Sequence, residues 1–311
     1  MGRGDGERRD RAGRVAEVAG ADSAQYVERI QQLWGGYGEA ARYSLRGAAV
    51  ESVVVKHVQP GAGRGRSHDR KLRSYAVEQA WYEQWAARCG EGCRVPRALG
   101  CEKRDGGWLF VLEDLDASGL SARAPFLSDA RLALCLRWLA AFHATFLGER
   151  PRGLWATGTY WHLQTRPDEL RAMPAGALRD AAAVIDAGLS GARYRTFVHG
   201  DAKPANFCFA RDGRSVAAVD FQYVGGGCGM KDVAYLLFGE TRSATEHGLQ
   251  VYFAALRERV PAADADDLEE EWRGLFPWAC ADFQRFLEGW DPGWRASRWC
   301  REQTQAVLDQ L

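Results

Sequence analysis

The 311-residue sequence has no surplus of either charge: 41 lysines and arginines balance 41 aspartates and glutamates. A nucleic-acid binder needs excess cations along one face to neutralise phosphates, so this balance argues against that class. No apolar run approaches the ~20 residues of a membrane span. The arginine- and glycine-rich start, Met1 to Gly20, lacks the apolar stretch of a secretory leader. Residues 1–22 are therefore expected to be a disordered tail, and the protein cytoplasmic. The eight cysteines are scattered without an export signal, which favours reduced thiols over a disulfide framework. Cys89, Cys93 and Cys101 cluster, but with no fourth ligand nearby for zinc.

What is present organises itself around residues 196–223. Two apolar runs, Phe207 to Phe209 and Val216 to Val219, flank Asp212-Gly213, a strong hairpin signal. Asp201 and Asn206 precede the first strand and Asp220 follows the second, so antiparallel pairing gathers them at one open end. Two carboxylates and an amide oxygen there could hold Mg2+, which prefers hard oxygen ligands.

Upstream, a short helical stretch is expected around Tyr26 to Leu33. The glycines of Trp34-Gly35-Gly36-Tyr37-Gly38 come just ahead of a strand, and Gly36 and Gly38 could let backbone approach a phosphate; a glycine turn in a hairpin is the alternative. Val53 to Val58 reads as a strand whose alternation puts Lys56 on a face with Val54 and Val58. A buried cation there needs a partner, unless Lys56 merely guards a sheet edge. Residues 69–88 read as an amphipathic helix with Leu72, Tyr75, Tyr82 and Trp85 in one stripe. Glu78 lies in that stripe, and an ion pair with Lys56 explains both residues; Glu78 could instead snorkel to the edge. Trp108 to Leu115 is a strand entering a hinge, where an end strand would leave backbone groups at Glu113 and Leu115 free for an adenine edge.

Further on, Ser128 caps a helix running to about Leu147, with His143 in its core, and a second helical segment covers 175–188. The glycine loop at 225–229 leads into a helix whose Asp232 would cap its start or brace the catalytic loop. Six carboxylates between Asp264 and Glu271 suit a solvated helix start, or a lure for a cationic substrate. The C-terminal tryptophans are mostly core, although Trp278 and Trp290 with Asp282 could line a pocket for an amine.

Taken together, Lys56, Glu78, His199-Gly200-Asp201-Ala202-Lys203-Pro204-Ala205-Asn206 and Asp220-Phe221-Gln222 resemble the aminoglycoside phosphotransferase and choline kinase-like family. With Val111-Leu112-Glu113-Asp114-Leu115, the wording looks closest to the choline kinase-like and ecdysteroid kinase-like branch. The resemblance implies an α+β, bilobal protein-kinase-like fold, with a β-rich N-lobe over 23–115 and a mainly helical C-lobe over 116–311. It implies ATP and Mg2+ as cofactors and a small hydroxylated molecule as acceptor. Asp201 would be the base and Lys203 would reach the γ-phosphate. Asn206 and Asp220 would bind the metal, and Lys56, held by Glu78, would hold ATP phosphates. The sequence lacks the Gly-x-Gly-x-x-Gly loop, the Asp-Phe-Gly and the Ala-Pro-Glu of protein kinases, which favours a small acceptor over a protein one. The alternative is a pseudokinase that binds nucleotide or a partner without transferring phosphate.

Overall fold

Nine strands and ten α-helices make up the computed structural model, which describes residues 3–291 and 293–311. The N-terminal part comprises α1 (Arg3–Ala19), β1 (Ser23–Gln32), β2 (Gly38–Arg46), β3 (Ser52–Val58), α2 (Arg66–Gln84), β4 (Ala98–Arg104) and β5 (Gly107–Glu113). Its strands form one antiparallel sheet in the order β1-β2-β3-β5-β4. The second part holds α3 (Asp129–Thr145), α4 (Pro167–Ala172), α5 (Ala177–Asp180), α6 (Ala182–Ser190), β6 (Thr196–Val198), β7 (Phe207–Phe209), β8 (Val216–Ala218) and β9 (Gly225–Gly227). It ends with α7 (Met230–Leu237), α8 (Arg242–Arg257), α9 (Ala262–Trp290) and α10 (Arg298–Leu308). This is a bilobal α+β fold: a sheet-rich N-lobe and a mostly helical C-lobe.

Strand alternation divides the sheet between two cores. Val53, Val55 and Val111 point to one face, and Val58, Phe110 and Leu112 to the other, with Lys56 among the second set. The second face is covered by α2. The first is covered by α1, which corrects the expectation of a disordered tail: residues 3–19 form a helix, and Met1 and Gly2 lie outside the described residues. Ala12, Val15, Val18 and Ala19 make a narrow apolar stripe on this otherwise polar helix, and Val15 is fully buried against Tyr43, Val53 and their neighbours. Arg11 and Arg14 fasten its flanks through ion pairs to Glu39 and Glu102, each at 2.6 Å. Val15→Asp would place a carboxylate in this core and is expected to cost on the order of 3 kcal/mol. A lowered melting temperature, with early proteolysis between α1 and β1, is the readout; an unchanged melting curve would mean that α1 contributes no core.

A second correction concerns residues 26–33: through Gln32 they are strand rather than helix, and Leu33 follows its end. Bulges between Tyr26 and Glu28, and between Arg29 and Gln31, break the alternation. The apolar residues therefore fall three and four apart, and imitate a helical period.

The lobes meet along α2. Phe221, directly after Asp220, stacks on Trp81 with ring centroids 4.5 Å apart, and the Ser74 hydroxyl donates to Gln222 Oε1 at 3.1 Å. The hinge after β5 is tied to the sheet by Asp114, whose carboxylate accepts from Arg42 Nε at 2.7 Å and Ser52 Oγ at 2.8 Å. The C-lobe is built on α9, the 29-residue helix against which α6, α7 and α10 pack.

Candidate active site

The hairpin of β7 and β8 has the register Phe207↔Ala218 to Phe209↔Val216, with Gly213 supplying the positive φ of 70° at its turn. At its open end, the Val219 N–H donates to the Asn206 carbonyl at 2.9 Å, which sets Asn206 beside the strand that delivers Asp220. Asn206 Nδ2 donates to the Asp201 carbonyl at 2.8 Å and to Asp201 Oδ2 at 3.0 Å. With the nitrogen so engaged, Asn206 Oδ1 is the atom left for a cation.

Asp220 has a φ of 69°, a conformation that costs a non-glycine residue about 1–3 kcal/mol and persists only where surroundings impose it. Its Oδ1 accepts from Lys56 Nζ at 3.2 Å, and 37% of its side chain remains exposed to the cleft. Asp201 is buried. Its Oδ2 accepts from Lys203 Nζ at 2.8 Å, and its Oδ1 from the Tyr235 hydroxyl at 3.3 Å.

These two carboxylates are displaced in opposite directions. Burial, reinforced by the charge of Asp220, raises the Asp201 carboxyl against the pull of Lys203. Burial acts in the same sense on Asp220, but Lys56 and Lys203 outweigh it and hold that carboxyl below its ordinary value. Paired acids pushed apart in this way are suited to different tasks: the raised one can take a proton, and the lowered one stays anionic.

Lys56 is the bridge between lobes. Its ammonium donates to both oxygens of Glu78, at 2.9 and 2.7 Å, and to Asp220. Burial would lower the Lys56 ammonium, yet Asp220 and Glu78 together raise it, so it stays charged. The same burial raises the Glu78 carboxyl, which the Coulombic pull of Lys56 counters. Oxygen donors at Asp220 and Asn206, with a buried lysine alongside, fit a hard divalent cation and phosphate better than a soft metal. No group of three or more His, Cys, Asp or Glu that could hold a metal exists among the described residues.

The glycines precede the strand as a hairpin tip between β1 and β2. Gly36 has a φ of 73°, and Gly38 lies so close to β3 that a Cβ would meet the His57 carbonyl oxygen at 2.0 Å. At the hinge the expectation needs correction. Strand β5 is interior, between β3 and β4, and the Glu113 N–H donates to the Arg97 carbonyl at 2.8 Å. The Leu115 carbonyl is likewise engaged, by the Leu120 N–H at 2.8 Å.

Of the two roles expected for Asp232, the structure shows the brace of the loop that carries Asp201. Asp232 accepts from the backbone N–H of His199 at 2.5 Å and of Gly200 at 2.9 Å, and from His143 Nε2 at 3.2 Å, bracing the turn that carries Asp201. Gly200, at φ 79°, is required there because a Cβ would strike the Tyr223 carbonyl oxygen at 2.2 Å. Tyr235 was not anticipated, although it sits one turn beyond Asp232 on α7, and that i, i+3 spacing was the available signal.

The C-terminal acids and aromatics are placed less helpfully for an amine. Glu269 pairs with Arg257 and Arg273, Asp266 with Arg257, and Asp267 with Arg193, while Glu271 accepts from the backbone N–H groups of Arg193 and Tyr194. Asp282 is completely buried between Arg285, Lys231 and Trp161. Trp278 packs on Gly188 of α6; Trp290, half exposed, lies 5.1 Å from the Arg166 guanidinium.

All eight cysteines are free, and no described helix is long and apolar enough to cross a membrane. The model of the phosphotransferase enzyme family (APH) matches residues 29–275. A search of curated proteins returned no match. Among solved structures, a candidate fructosamine-3-kinase from Thermobifida fusca is 17% identical, with 96% of each chain covered and a TM-score of 0.53. The macrolide 2'-phosphotransferase of Brachybacterium faecium is also 17% identical, over 96% of this chain and 97% of that one, with a TM-score of 0.51. A choline/ethanolamine kinase family protein from Mesorhizobium loti is 14% identical, over 98% of this chain and 92% of that one, with a TM-score of 0.49. At 17% identity the likeness to the first two speaks for the fold alone.

Proposed function

The chain belongs to the phosphotransferase enzyme family, and from that membership and the geometry of the cleft we propose that it moves the γ-phosphate of ATP, with Mg2+, to a hydroxyl of a small molecule. The observation that carries this reading is the Lys56 ammonium held between Glu78 and Asp220 across the lobes, beside an Asp201 displaced toward proton acceptance. The division between the two lobes falls near residue 115, and a cytoplasmic setting would supply the nucleotide.

In the proposed reaction the acceptor oxygen forms a bond to the γ-phosphorus as the bond from that phosphorus to the β,γ-bridging oxygen breaks, releasing ADP. Asp201 takes the hydroxyl proton. Lys203, 2.8 Å from Asp201 Oδ2, is placed to meet charge on the transferred group. Lys56 holds the phosphates of the nucleotide, and Glu78 keeps its ammonium aimed there. The glycine hairpin at Gly36 and Gly38 covers the phosphates, and the Glu113 carbonyl and Leu115 N–H would meet the adenine edge. Asn206 Oδ1 and the Asp220 carboxylate would hold Mg2+, which would neutralise phosphate charge. Phosphoryl transfer is mostly positioning and charge neutralisation, so this set needs no nucleophilic side chain.

The test is ADP release from ATP and Mg2+ across a broad panel of hydroxylated compounds. Lys56→Met is expected to raise the KM for ATP at least about tenfold, a loss of roughly 1.4 kcal/mol of binding. ATP binding by the wild type without transfer to any alcohol would support the pseudokinase instead.

A further inference from the structure

The wall of the cleft beyond Asp201 carries positive charge that no described side chain fully compensates. Arg70 and Lys71 lie in the first two turns of α2, and Lys71 is seven residues before Glu78, on the same helical face. The Lys71 ammonium makes no ion pair or hydrogen bond with the described residues, although it feels the field of Asp220. Burial lowers it, and Lys56, Arg166 and Arg70 press in the same direction. Arg70 donates to the Thr165 carbonyl at 3.1 Å and to Ser67 Oγ at 3.2 Å, while its buried Nε has no partner. Arg166 donates through Nε to the Tyr160 carbonyl at 2.9 Å, and its one carboxylate neighbour is Glu169 at 3.1 Å.

This charge borders the proposed catalytic aspartate. Tyr160 donates its N–H to the Gly200 carbonyl at 3.1 Å, and its ring lies 5.9 Å from that of Tyr235, whose hydroxyl reaches Asp201. The Tyr223 ring is 6.0 Å from Tyr160 on the other side. The Arg166 guanidinium sits over Tyr160 and Trp290, at 5.8 and 5.1 Å. Aromatic faces next to clustered cations suit a ligand with a planar or apolar body and an anionic group. The acids that could have welcomed an amine, Asp282, Glu269 and Glu271, are spent on other partners. Among the described residues Arg70 and Lys71 have no carboxylate partner and Arg166 has Glu169 alone, so the three repel one another, and a bound anion relieves that cost.

We infer that the acceptor itself carries an anionic group, a carboxylate or a phosphate, which Arg70, Lys71 and Arg166 hold while its hydroxyl faces Asp201. The inference rests on the phosphotransferase reading and narrows its acceptor class away from cationic amines.

The experiment uses the full chain with ATP and Mg2+ and matched sets of acceptors: glucuronate and glucose 6-phosphate against glucose and glucosamine, and hydroxylated aromatic acids against their neutral and amino counterparts. Faster ADP release with the anionic members is expected. Lys71→Met and Arg70→Gln should each raise the KM for an anionic acceptor about tenfold, with the KM for ATP moving less than about twofold. Three outcomes overturn the inference and leave the kinase reading standing. They are preferential turnover of neutral or amino members, turnover of other alcohols but of no anionic member, and a rise in the KM for ATP in place of that for the acceptor. Absence of both ADP release and any ATP-induced shift in melting temperature removes the kinase reading, and the inference with it.

Discussion

Asp201→Asn is expected to lower acceptor-dependent ADP release by about 10²–10⁴-fold, the usual contribution of a positioned proton acceptor. The substitution keeps the shape that Lys203, Asn206 and Tyr235 surround, but removes the charge and most of the basicity. ATP affinity should stay close to that of the wild type, because the nucleotide-side cation Lys56 pairs with Glu78 and Asp220 and makes no bond to Asp201. Asp201→Ala should behave alike. In the wild type the acid limb of kcat/KM should lie above the ordinary aspartate value near 3.8, since burial raises this carboxyl, and activity should grow as pH rises through it. That limb should vanish in Asp201→Asn. A variant retaining more than about a tenth of the wild-type rate would assign proton acceptance elsewhere.

The largest stability effect is expected at Asp282→Ala, about 3–5 kcal/mol in chemical denaturation, the range for stranding a buried charge. Asp282 Oδ1 accepts from Arg285 Nη2 at 2.8 Å, and its Oδ2 from Trp161 Nε1 at 3.0 Å and Lys231 Nζ at 3.4 Å. Removing the carboxylate leaves two buried cations facing each other. Burial alone would raise this carboxyl, but Lys231 and Arg285 hold it down to about 2, against an ordinary 3.8. A depressed folded-state value means that the stabilisation is fully present above the unfolded value and is lost as pH falls through the folded one. The gap between wild type and Asp282→Asn should therefore stay level above about pH 4 and close toward pH 2. A gap that widens on acidification would contradict this account. Because Arg285 Nη2 also donates to the Trp161 carbonyl at 3.0 Å, the network fixes the segment that carries Tyr160 and Arg166. Its loss should also loosen the acceptor wall.

The cluster of the candidate site was legible in the sequence because it is local. Asp201, Lys203 and Asn206 fall within six residues, and one hairpin with a clear turn brings Asp220 back to them. Lys56 and Glu78 were legible for a different reason: each interrupts an apolar pattern, and a charge in a buried stripe needs a partner. The errors have equally specific causes. In α1 only Ala12, Val15, Ala16, Val18 and Ala19 are apolar on a helix otherwise made of charge and glycine, so composition pointed to disorder while the exposed face of the sheet supplied the reason to fold. In β1 two bulges shifted alternation into a helical rhythm. Strand β5 reads as an end strand in sequence because β4, which follows α2 and pairs outside β5, gives no sign there of which strand it joins.

The sequence by itself determined which acids, amide and lysine gather at the candidate site, since residue type, short spacing and one hairpin are all local. Only the tertiary structure decided what surrounds them, because long-range packing sets both burial and charge. It put Asp282 in a sealed ion network instead of a pocket, and assigned Asp266, Asp267 and Glu269 of α9 to arginines and Glu271 to backbone N–H groups. It also gathered Arg70, Lys71 and Arg166, up to 96 positions apart in the chain, into one cationic cluster in the field of Asp220.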